Sequence, residues 1–177
     1  ILYTSNESVG AHAEYIRDGL NWDLWWNNLE NFFKHGKTFG ISMMMTINAL
    51  SLFSLLEFMD KMLELKNKYN RISPGCSLNI LRHPNFQSVL VLDEKIRFKF
   101  ADEIEKWISD NWCNGKNFFM EWERNDMVRL TNYLRETDIQ NKYGYNIDEC
   151  KINFDKFYKQ YDIRRNKNFN LTFPNFV

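Results

Sequence analysis

The chain has 177 residues, of which 44% are hydrophobic and 16% aromatic, enough for one compact domain with a sizeable core. Its 23 Lys and Arg residues balance 23 Asp and Glu residues, so the charge gives no reason to expect a nucleic-acid partner. A mean hydropathy of −0.53, with charges throughout, leaves no apolar run of membrane-spanning length. No secretory signal is visible at the start, and we predict a cytoplasmic protein.

The three cysteines, Cys76, Cys113 and Cys150, are far apart in the sequence. Zinc and iron–sulfur sites use short spacings such as CxxC, so this spacing predicts no metal site within the chain. An odd number of cysteines without a secretory signal favours free thiols in a reducing compartment. We therefore expect buried, structural cysteines.

Short strands and helices alternate in the first part of the chain. Strands are predicted at residues 1–4, 39–47 and 76–81. The second of these, which begins at Phe39, is an almost unbroken apolar run, the pattern of a strand buried on both faces of a parallel sheet.

Two helices between these strands are predicted from apolar residues at helical spacing. The first has Asn21 as N-cap and Gly36 just past its end, and the second has a possible capping box of Ser54 and Glu57. The apolar positions are Trp22, Trp25, Trp26, Leu29, Phe32 and Phe33 in the first helix, and Leu52, Leu55, Leu56, Met59, Met62 and Leu63 in the second.

After the third strand, residues 86–92 are predicted to be extended, and Asp93 opens a helix that reaches Ile108. From about Asn114 the pattern becomes helical, with segments around residues 118–135 and 148–161 and an aromatic tail that we expect to dock on the body. The order of elements predicts an α/β fold with parallel strands, either an open layer or part of a barrel, followed by a helical extension.

Motifs of the common catalytic classes are absent: the sequence has no nucleophile elbow, P-loop, dinucleotide fingerprint, zinc-protease helix or acidic calcium loop. The three histidines, His12, His35 and His83, are isolated from one another, and we interpret them as surface or core residues.

Position is more informative than motif in a parallel α/β fold, because ligands bind where strands end on the carboxyl side of the sheet. Small polar residues lie near the ends of all three predicted strands or just after them, and they suit a ligand with ribose hydroxyls and an amino-acid group. The alternative is that Ser and Asn here only cap helices and end strands. These residues are Ser5, Asn6, Glu7, Ser8, Thr46, Asn48 and Asn79.

Several segments, in order along the chain, resemble the second half of the catalytic domain of radical SAM proteins, and more narrowly the group with a twitch or SPASM-type auxiliary domain. The most specific is Ala13-Glu14-Tyr15-Ile16-Arg17 with Gly19 and a Trp-rich helix after it. The other segments are Ser8 to Ala13, Asn28-Leu29, Thr46 to Leu50, Leu78 to Pro84, Tyr161 to Arg165, Phe169 and Phe173-Pro174.

The resemblance implies a partial (βα)6 barrel, of which residues 1–112 supply the fourth to sixth strands and residues 113–177 a helical extension. It implies an enzyme that, when complete, uses S-adenosylmethionine and a [4Fe-4S] cluster to generate a 5'-deoxyadenosyl radical, which takes hydrogen from a substrate. The partners implied are the missing N-terminal half of the barrel and an unknown substrate, a peptide or a small molecule.

The resemblance also assigns cofactor-binding residues. Ser5 and Glu7 would approach the ribose or the amino-acid group of S-adenosylmethionine. Asn48, Asn79 and Ile80 would line the cavity that holds both S-adenosylmethionine and the substrate. Arg17 would meet a carboxylate or hold the helix that frames the site. A structural salt bridge of Arg17 with Glu14 or Asp18 is an equal alternative.

The sequence departs from the family pattern in two places. Many relatives have Ser-x-Asp-Gly after the fourth strand, where this chain has Ser5-Asn6-Glu7-Ser8. The CxxxCxxC loop that holds the cluster, which follows the first strand in the family, is absent. Without these thiolates the chain alone should be inactive.

Two other classes of function remain as alternatives. One is a non-catalytic interaction or scaffold module that binds a partner through the aromatic helix around Trp22 to Phe33. The other, a small-molecule transferase, has no motif in its favour.

Overall fold

Three parallel strands form one sheet in the order β1-β2-β3. The strands are β1 (Leu2–Thr4), β2 (Ile41–Ile47) and β3 (Gly75–Ile80), in a computed structural model that describes residues 1–35, 40–112 and 118–176. Their registers set Tyr3 beside Ser42 and Ser42 beside Gly75. The predicted α/β class with parallel strands is confirmed.

The described residues also form eight α-helices. They are α1 (Gly10–Ile16), α2 (Trp22–His35), α3 (Leu55–Tyr69), α4 (Glu94–Asn111), α5 (Glu121–Leu134), α6 (Ile139–Tyr143), α7 (Ile147–Arg165) and α8 (Phe169–Thr172). In this part of the chain no helix combines the length and apolar character needed to cross a membrane.

The sheet is covered by helices on one face only. In β2, Met43, Met45 and Ile47 are buried, whereas Met44 and Thr46 between them are exposed. The prediction that this strand is buried on both faces is therefore wrong. The long methionine side chain at Met44 extends the apolar run in the sequence although it lies on the uncovered face.

The periodic helices are found close to their predicted positions. The Asn21 side chain accepts a hydrogen bond from the amide of Leu24 at 2.8 Å, which confirms it as the cap of α2. The helices predicted after Asp93 and around residues 118–135 and 148–161 correspond to α4, α5 and α7. Phe39, the predicted start of the second strand, and Gly36, predicted to follow the first helix, lie outside the described residues.

Two local predictions are wrong. Ser54 makes no capping bond to α3, because its hydroxyl instead accepts from the amide of Val9 at 3.3 Å. Residues 86–92 are not extended but form two short 3-10 turns, Asn85–Gln87 and Val89–Val91. In the second turn the Ser88 hydroxyl accepts from the amide of Leu90, a local bond that favours a turn over a strand.

The outer edge of β3 is closed by side chains of α5. The carboxylates of Glu123 and Asp126 accept hydrogen bonds from the amides of Cys76 and Leu78, at 2.8 and 3.1 Å. The guanidinium of Arg129 donates to the carbonyl of Leu78 at 2.5 Å. These bonds satisfy edge groups that would otherwise be open to another strand.

A buried ion pair fixes α5 in this position. Lys66 of α3 donates to both carboxylate oxygens of Glu123, at 2.6 and 2.7 Å, and to the carbonyl of Phe118 at 3.2 Å. The side chains of Lys66 and Glu123 are 1% and 0% exposed. Each charge is thus almost removed from water, and each depends on the other for compensation.

The C-terminal aromatic residues dock on the body, as predicted. Phe173 is buried and forms an edge contact with the ring of Tyr15. The Tyr15 hydroxyl donates to Asp162 of α7 at 2.7 Å, and the second oxygen of Asp162 accepts from the amide of Phe169. The division into residues 1–112 and 113–177 stays a prediction, and Cys113 and Asn114, at its boundary, lie outside the described residues.

Replacing Lys66 by Met should lower the free energy of unfolding by about 3–5 kcal/mol, because the Glu123 carboxylate is left buried without its counter-charge. Replacing Lys68 by Met, on the same helix as Lys66, should cost much less, because its ion pair with Glu30 of α2 is exposed to solvent. Urea unfolding of both variants measures the two losses. Equal losses would show that burial does not decide the effect.

Candidate functional site

Glu7 lies at the carboxyl edge of the sheet, where β1 has ended and β2 continues. It is buried, and its Oε2 accepts a hydrogen bond from the amide of Thr46 at 3.4 Å. The same oxygen forms an ion pair with Arg17. Glu7 and Arg17, two of the predicted site residues, are thus in direct contact. Thr46, which was also predicted to lie at this edge, is next to them.

Arg17 follows the last turn of α1, a helix that the sequence patterns did not predict. The C-terminal segment holds this helix, because the Tyr161 hydroxyl donates to the carbonyl of Tyr15 at 2.8 Å. The proposed salt bridge of Arg17 with Glu14 or Asp18 is wrong. Asp18 pairs instead with Arg165 and Lys167, and Glu14 accepts from the amide of Trp22.

The pKa of Glu7 is raised above its usual value of 4.5, chiefly because burial disfavours the charged carboxylate. The hydrogen bond and charge of Arg17, and the amide of Thr46, act in the opposite direction. Burial outweighs them, so a proton is held more tightly here than on a glutamate in water. This site therefore combines a cation with a carboxyl group whose charge is sensitive to its surroundings.

Three buried polar atoms close to this pair in the sequence have no hydrogen-bond partner. They are Nδ2 of Asn6, Oγ of Ser8 and Nε of Arg17. The Asn6 side chain is otherwise engaged, since its Oδ1 accepts from the amide of Glu7 at 2.9 Å. Buried polar groups are normally paired, so these atoms mark the segment as one that can bind a further polar group.

Asn48 follows β2, and its side chain organises the next turn. Its Oδ1 accepts from the amides of Leu50 and Ser51, at 2.9 and 3.1 Å. The Ser51 hydroxyl in turn donates to the carbonyl of Asn48 at 2.9 Å. Asn48 therefore has the structural role that was the alternative for these residues, because its side chain stabilises the turn after the strand.

The other predicted site residues do not all share a face. Ser5 is exposed just after β1, and Asn79 is exposed on the uncovered face of the sheet. Ile80, the next residue, lies on the helix-covered face beside Ile47 and packs against the core. Its side chain therefore does not line the same surface as Asn79, contrary to the prediction, because side chains alternate along a strand.

We call the uncovered surface of the sheet the open face. Three rows of paired residues define it, from the amino to the carboxyl edge, and none carries a charge. The rows are Tyr3, Ser42 and Gly75, then Met44 and Ser77, then Thr46 and Asn79. The Glu7 carboxylate lies beside the last row, at the amide of Thr46, and it is paired there with Arg17.

The described cysteines are buried free thiols, as expected. Burial raises the pKa of Cys76, and it also raises the pKa of Cys150, which keeps both thiols protonated. Cys113 lies outside the described residues. Within residues 1–35, 40–112 and 118–176, no group of three or more His, Cys, Asp or Glu side chains could hold a metal ion.

The aromatic helix α2 is turned largely toward the protein itself. Leu29 and Phe33 are buried in the core. The Trp25 indole donates to the Thr4 hydroxyl at 3.2 Å and contacts the ring of Phe58. The remaining residues of its apolar stripe are partly buried and pack against the core, as such stripes usually do.

Comparison with protein-family models finds no match for this chain, and neither do comparisons with curated proteins and with solved structures.

Glu7 should make stability depend on pH in a specific direction. Because its pKa is raised in the folded state, its contribution is fully present below about pH 4.5 and is lost as the pH rises through the folded-state pKa. The advantage of the wild type over Glu7→Gln in free energy of unfolding should therefore fall as the pH rises above about 4.5. Each tenfold difference in proton affinity corresponds to about 1.4 kcal/mol.

Urea unfolding across this range measures the change. Glu64→Gln, at an exposed carboxylate of α3, controls for the loss of one negative charge. An advantage that grows with pH would show that Arg17, rather than burial, dominates at Glu7.

Proposed function

We propose that this chain is the C-terminal half of the partial barrel of a cytoplasmic radical SAM enzyme, and that it walls the cavity for S-adenosylmethionine and substrate. The observation that carries the proposal is the ion pair of the buried Glu7 with the partly exposed Arg17 at the carboxyl edge, where polar atoms of Asn6, Ser8 and Arg17 have no partner. The complete enzyme would use the cleavage of S-adenosylmethionine to abstract hydrogen from its substrate.

The one-sided covering of the sheet supports a barrel rather than a layered domain. Parallel sheets in open α/β folds are covered on both faces, whereas here Thr46 and Asn79 are exposed on the open face. In a barrel the helices lie outside and the other face of every strand points inward. The uncharged open face would then be part of the cavity wall.

The residues at the carboxyl edge fit S-adenosylmethionine in kind. Its ribose hydroxyls donate and accept hydrogen bonds, and its amino-acid group has a carboxylate that needs donors. Asn6 Nδ2 and Arg17 Nε are unpartnered donors, and Ser8 Oγ can serve in either role. The two hydrogen bonds to the Glu7 carboxylate involve Oε2, and we assign Oε1 to a ribose hydroxyl, with Ser5 beside it.

The described residues do not fit a [4Fe-4S] cluster. Such a cluster needs several thiolates, whereas Cys76 and Cys150 are buried and the pKa of each is raised. In the proposed enzyme the cluster ligands belong to the missing N-terminal half of the barrel, and no step of the reaction is assigned to the cysteines of this chain.

The two edges of the sheet indicate where that half would join. α5 closes the β3 edge, but among the described residues no strand pairs with the outer edge of β1. The amide of Leu2 faces β2, since it donates to the carbonyl of Gly40, so the amide of Tyr3 faces outward. The Tyr3 side chain is 64% exposed, which leaves this edge accessible to another strand.

A groove beside β1 supports the same position for the partner. It has a volume of about 310 Å³ and lies between β1, β2 and α2. Its apolar lining includes Leu2, Trp25, Leu29 and Phe32. A preceding strand of the barrel would pair with β1, and the helix that follows that strand would fill the groove.

In the complete enzyme, Glu7→Gln should weaken the binding of S-adenosylmethionine by about 10- to 100-fold, because hydrogen bonds to a charged group contribute about 1.5–3 kcal/mol. Isothermal titration calorimetry measures the dissociation constant. Ser5→Ala, at an exposed position that cannot disturb the core, should weaken binding by up to about tenfold. Glu64→Gln should leave it unchanged.

The coding region upstream of Ile1 provides the first check. We expect the reading frame to continue into a strand followed by a CxxxCxxC segment. A frame without these cysteines, or unchanged affinity in both the Glu7 and Ser5 variants, would contradict the proposal.

The outward-facing backbone amide of β1 should be protected from hydrogen exchange only in the complete enzyme. We expect the amide of Tyr3 to exchange on the order of 100-fold more slowly there than in residues 1–177 alone, because pairing removes it from solvent. The amide of Leu78, held by Asp126, should be protected in both. Hydrogen-exchange NMR measures the rates, and equally fast exchange of Tyr3 in both proteins would exclude strand pairing at this edge.

A further inference from the structure

The C-terminal segment of the chain completes the end of α1, the helix that Arg17 follows. The last carbonyls of a helix have no partner within it, and here two side chains from far along the sequence supply the donors. Tyr161 donates to the carbonyl of Tyr15 at 2.8 Å, and the ammonium group of Lys167 donates to the carbonyls of Glu14 and Tyr15. We call Tyr161 and Lys167 the α1 clamp.

Lys167 also holds the chain on the other side of Arg17. Its Nζ lies 3.2 Å from Oδ1 of Asp18, the residue that follows Arg17. The same nitrogen therefore ties the backbone before Arg17, at Glu14 and Tyr15, to the side chain after it. Because one ammonium group joins both neighbours, it fixes the short segment from which the guanidinium of Arg17 extends.

The α1 clamp is itself held in place by α7. The side chain of Lys167 is only 18% exposed, and its amide donates to the carbonyl of Asp162 at 3.1 Å. Asn166, the residue before it, has a left-handed backbone conformation with a φ of 50°, which ends α7 and redirects the chain. A carboxylate oxygen of Asp162 accepts from the Tyr15 hydroxyl. α7 and α1 are thus joined at several points around the ammonium group.

The Arg17 side chain has little support of its own. One terminal nitrogen pairs with Glu7, whereas Nε, although buried, has no hydrogen-bond partner among the described residues. The side chain is also 29% exposed, so water competes for the guanidinium. Whether the guanidinium stays on the Glu7 carboxylate therefore depends on where the backbone of Arg17 is held.

We propose that Tyr161 and Lys167 are positioning residues, which hold the end of α1 so that Arg17 remains on the carboxylate of Glu7. Its functional meaning rests on the proposed function, which assigns Glu7 and Arg17 to the binding of S-adenosylmethionine. The α1 clamp acts on that ligand only through Arg17. The C-terminal segment thereby controls the pairing of charges at the carboxyl edge of the sheet.

The pKa of Glu7 in residues 1–177, measured from its carboxyl carbon resonance during a pH titration, reports whether Arg17 is in place. The guanidinium of Arg17 lowers this pKa, so Arg17→Met should raise it by about 1–3 pH units. Lys167→Met should raise it in the same direction, by on the order of 1 pH unit, because the guanidinium leaves the carboxylate in part of the molecules. Lys167→Arg, which keeps a cation and its donors, should restore the wild-type value.

Arg165→Met is the matched control for charge. Arg165 also pairs with Asp18, at 2.9 Å, through a side chain that is 56% exposed, whereas the carbonyls of α1 bond to Tyr161 and Lys167. The variant therefore removes a positive charge without loosening the end of α1, and the pKa of Glu7 should stay unchanged. A rise as large as in Lys167→Met would show that charge rather than position is responsible, and would overturn the proposal.

Tyr161→Phe tests the α1 clamp with less risk to the fold, because it keeps the ring that contacts Tyr15 and removes only the hydroxyl. It should raise the pKa of Glu7 less than Lys167→Met does, since Lys167 still holds both neighbours of Arg17. An unchanged pKa in both variants, or in Tyr161→Phe alone if Lys167→Met does not fold, would overturn the proposal.

The titration needs no S-adenosylmethionine, so the two proposals fail separately. A raised pKa of Glu7 in the clamp variants, together with unchanged cofactor affinity in the Glu7 and Ser5 variants of the complete enzyme, would overturn the proposed function alone. An unchanged pKa in the clamp variants, together with weakened cofactor binding in the Glu7 and Ser5 variants, would remove the α1 clamp and leave the enzyme proposal intact.

Discussion

The carboxylate of Glu123 is the contact on which the arrangement of sheet and helices depends. It accepts hydrogen bonds from Lys66 of α3, from the amide of Cys76 in β3 and from the amide of Met120 at the start of its own helix. A buried charge costs free energy unless its hydrogen bonds are satisfied, and here three separate segments satisfy it. Because these segments can meet only when α5 lies along β3, the charge specifies the position of α5.

Carboxylates take the place of a missing strand at both margins of the sheet, with different chemical consequences. Glu123 and Asp126 bind amides of β3 inside a closed contact with α5, whereas Glu7 binds the amide of Thr46 beside a partly exposed cation, Arg17. The first arrangement is completed by the fold itself. The second leaves polar atoms of Asn6, Ser8 and Arg17 without partners, which is why binding chemistry is assigned to this end of the sheet.

Local patterns in the sequence were sufficient for the strands and for most helices, because the spacing of apolar residues is set within a few positions. They also grouped Glu7 with Thr46, since parallel strands end on the same side of a sheet. They failed where a contact is distant or a side chain has two possible roles. Lys66 and Glu123 are 57 residues apart. Arg17 pairs with Glu7, on the other side of α1 in the sequence, and the Asn48 side chain organises a turn. The resemblance placed Ile80 on the same cavity wall as Asn79, although neighbouring residues of a strand point to opposite faces.

The closed edge of β3 also affects the order of events during synthesis. β3 is complete at Ile80, but the side chains that satisfy its outer amides are those of Glu123 and Asp126, which are made more than 40 residues later. Until α5 emerges from the ribosome, Cys76 and Leu78 present free amides, and Lys66 has no counter-charge. A nascent chain that stalls between β3 and α5 therefore has a sheet edge open to other chains, the condition that favours aggregation or chaperone binding.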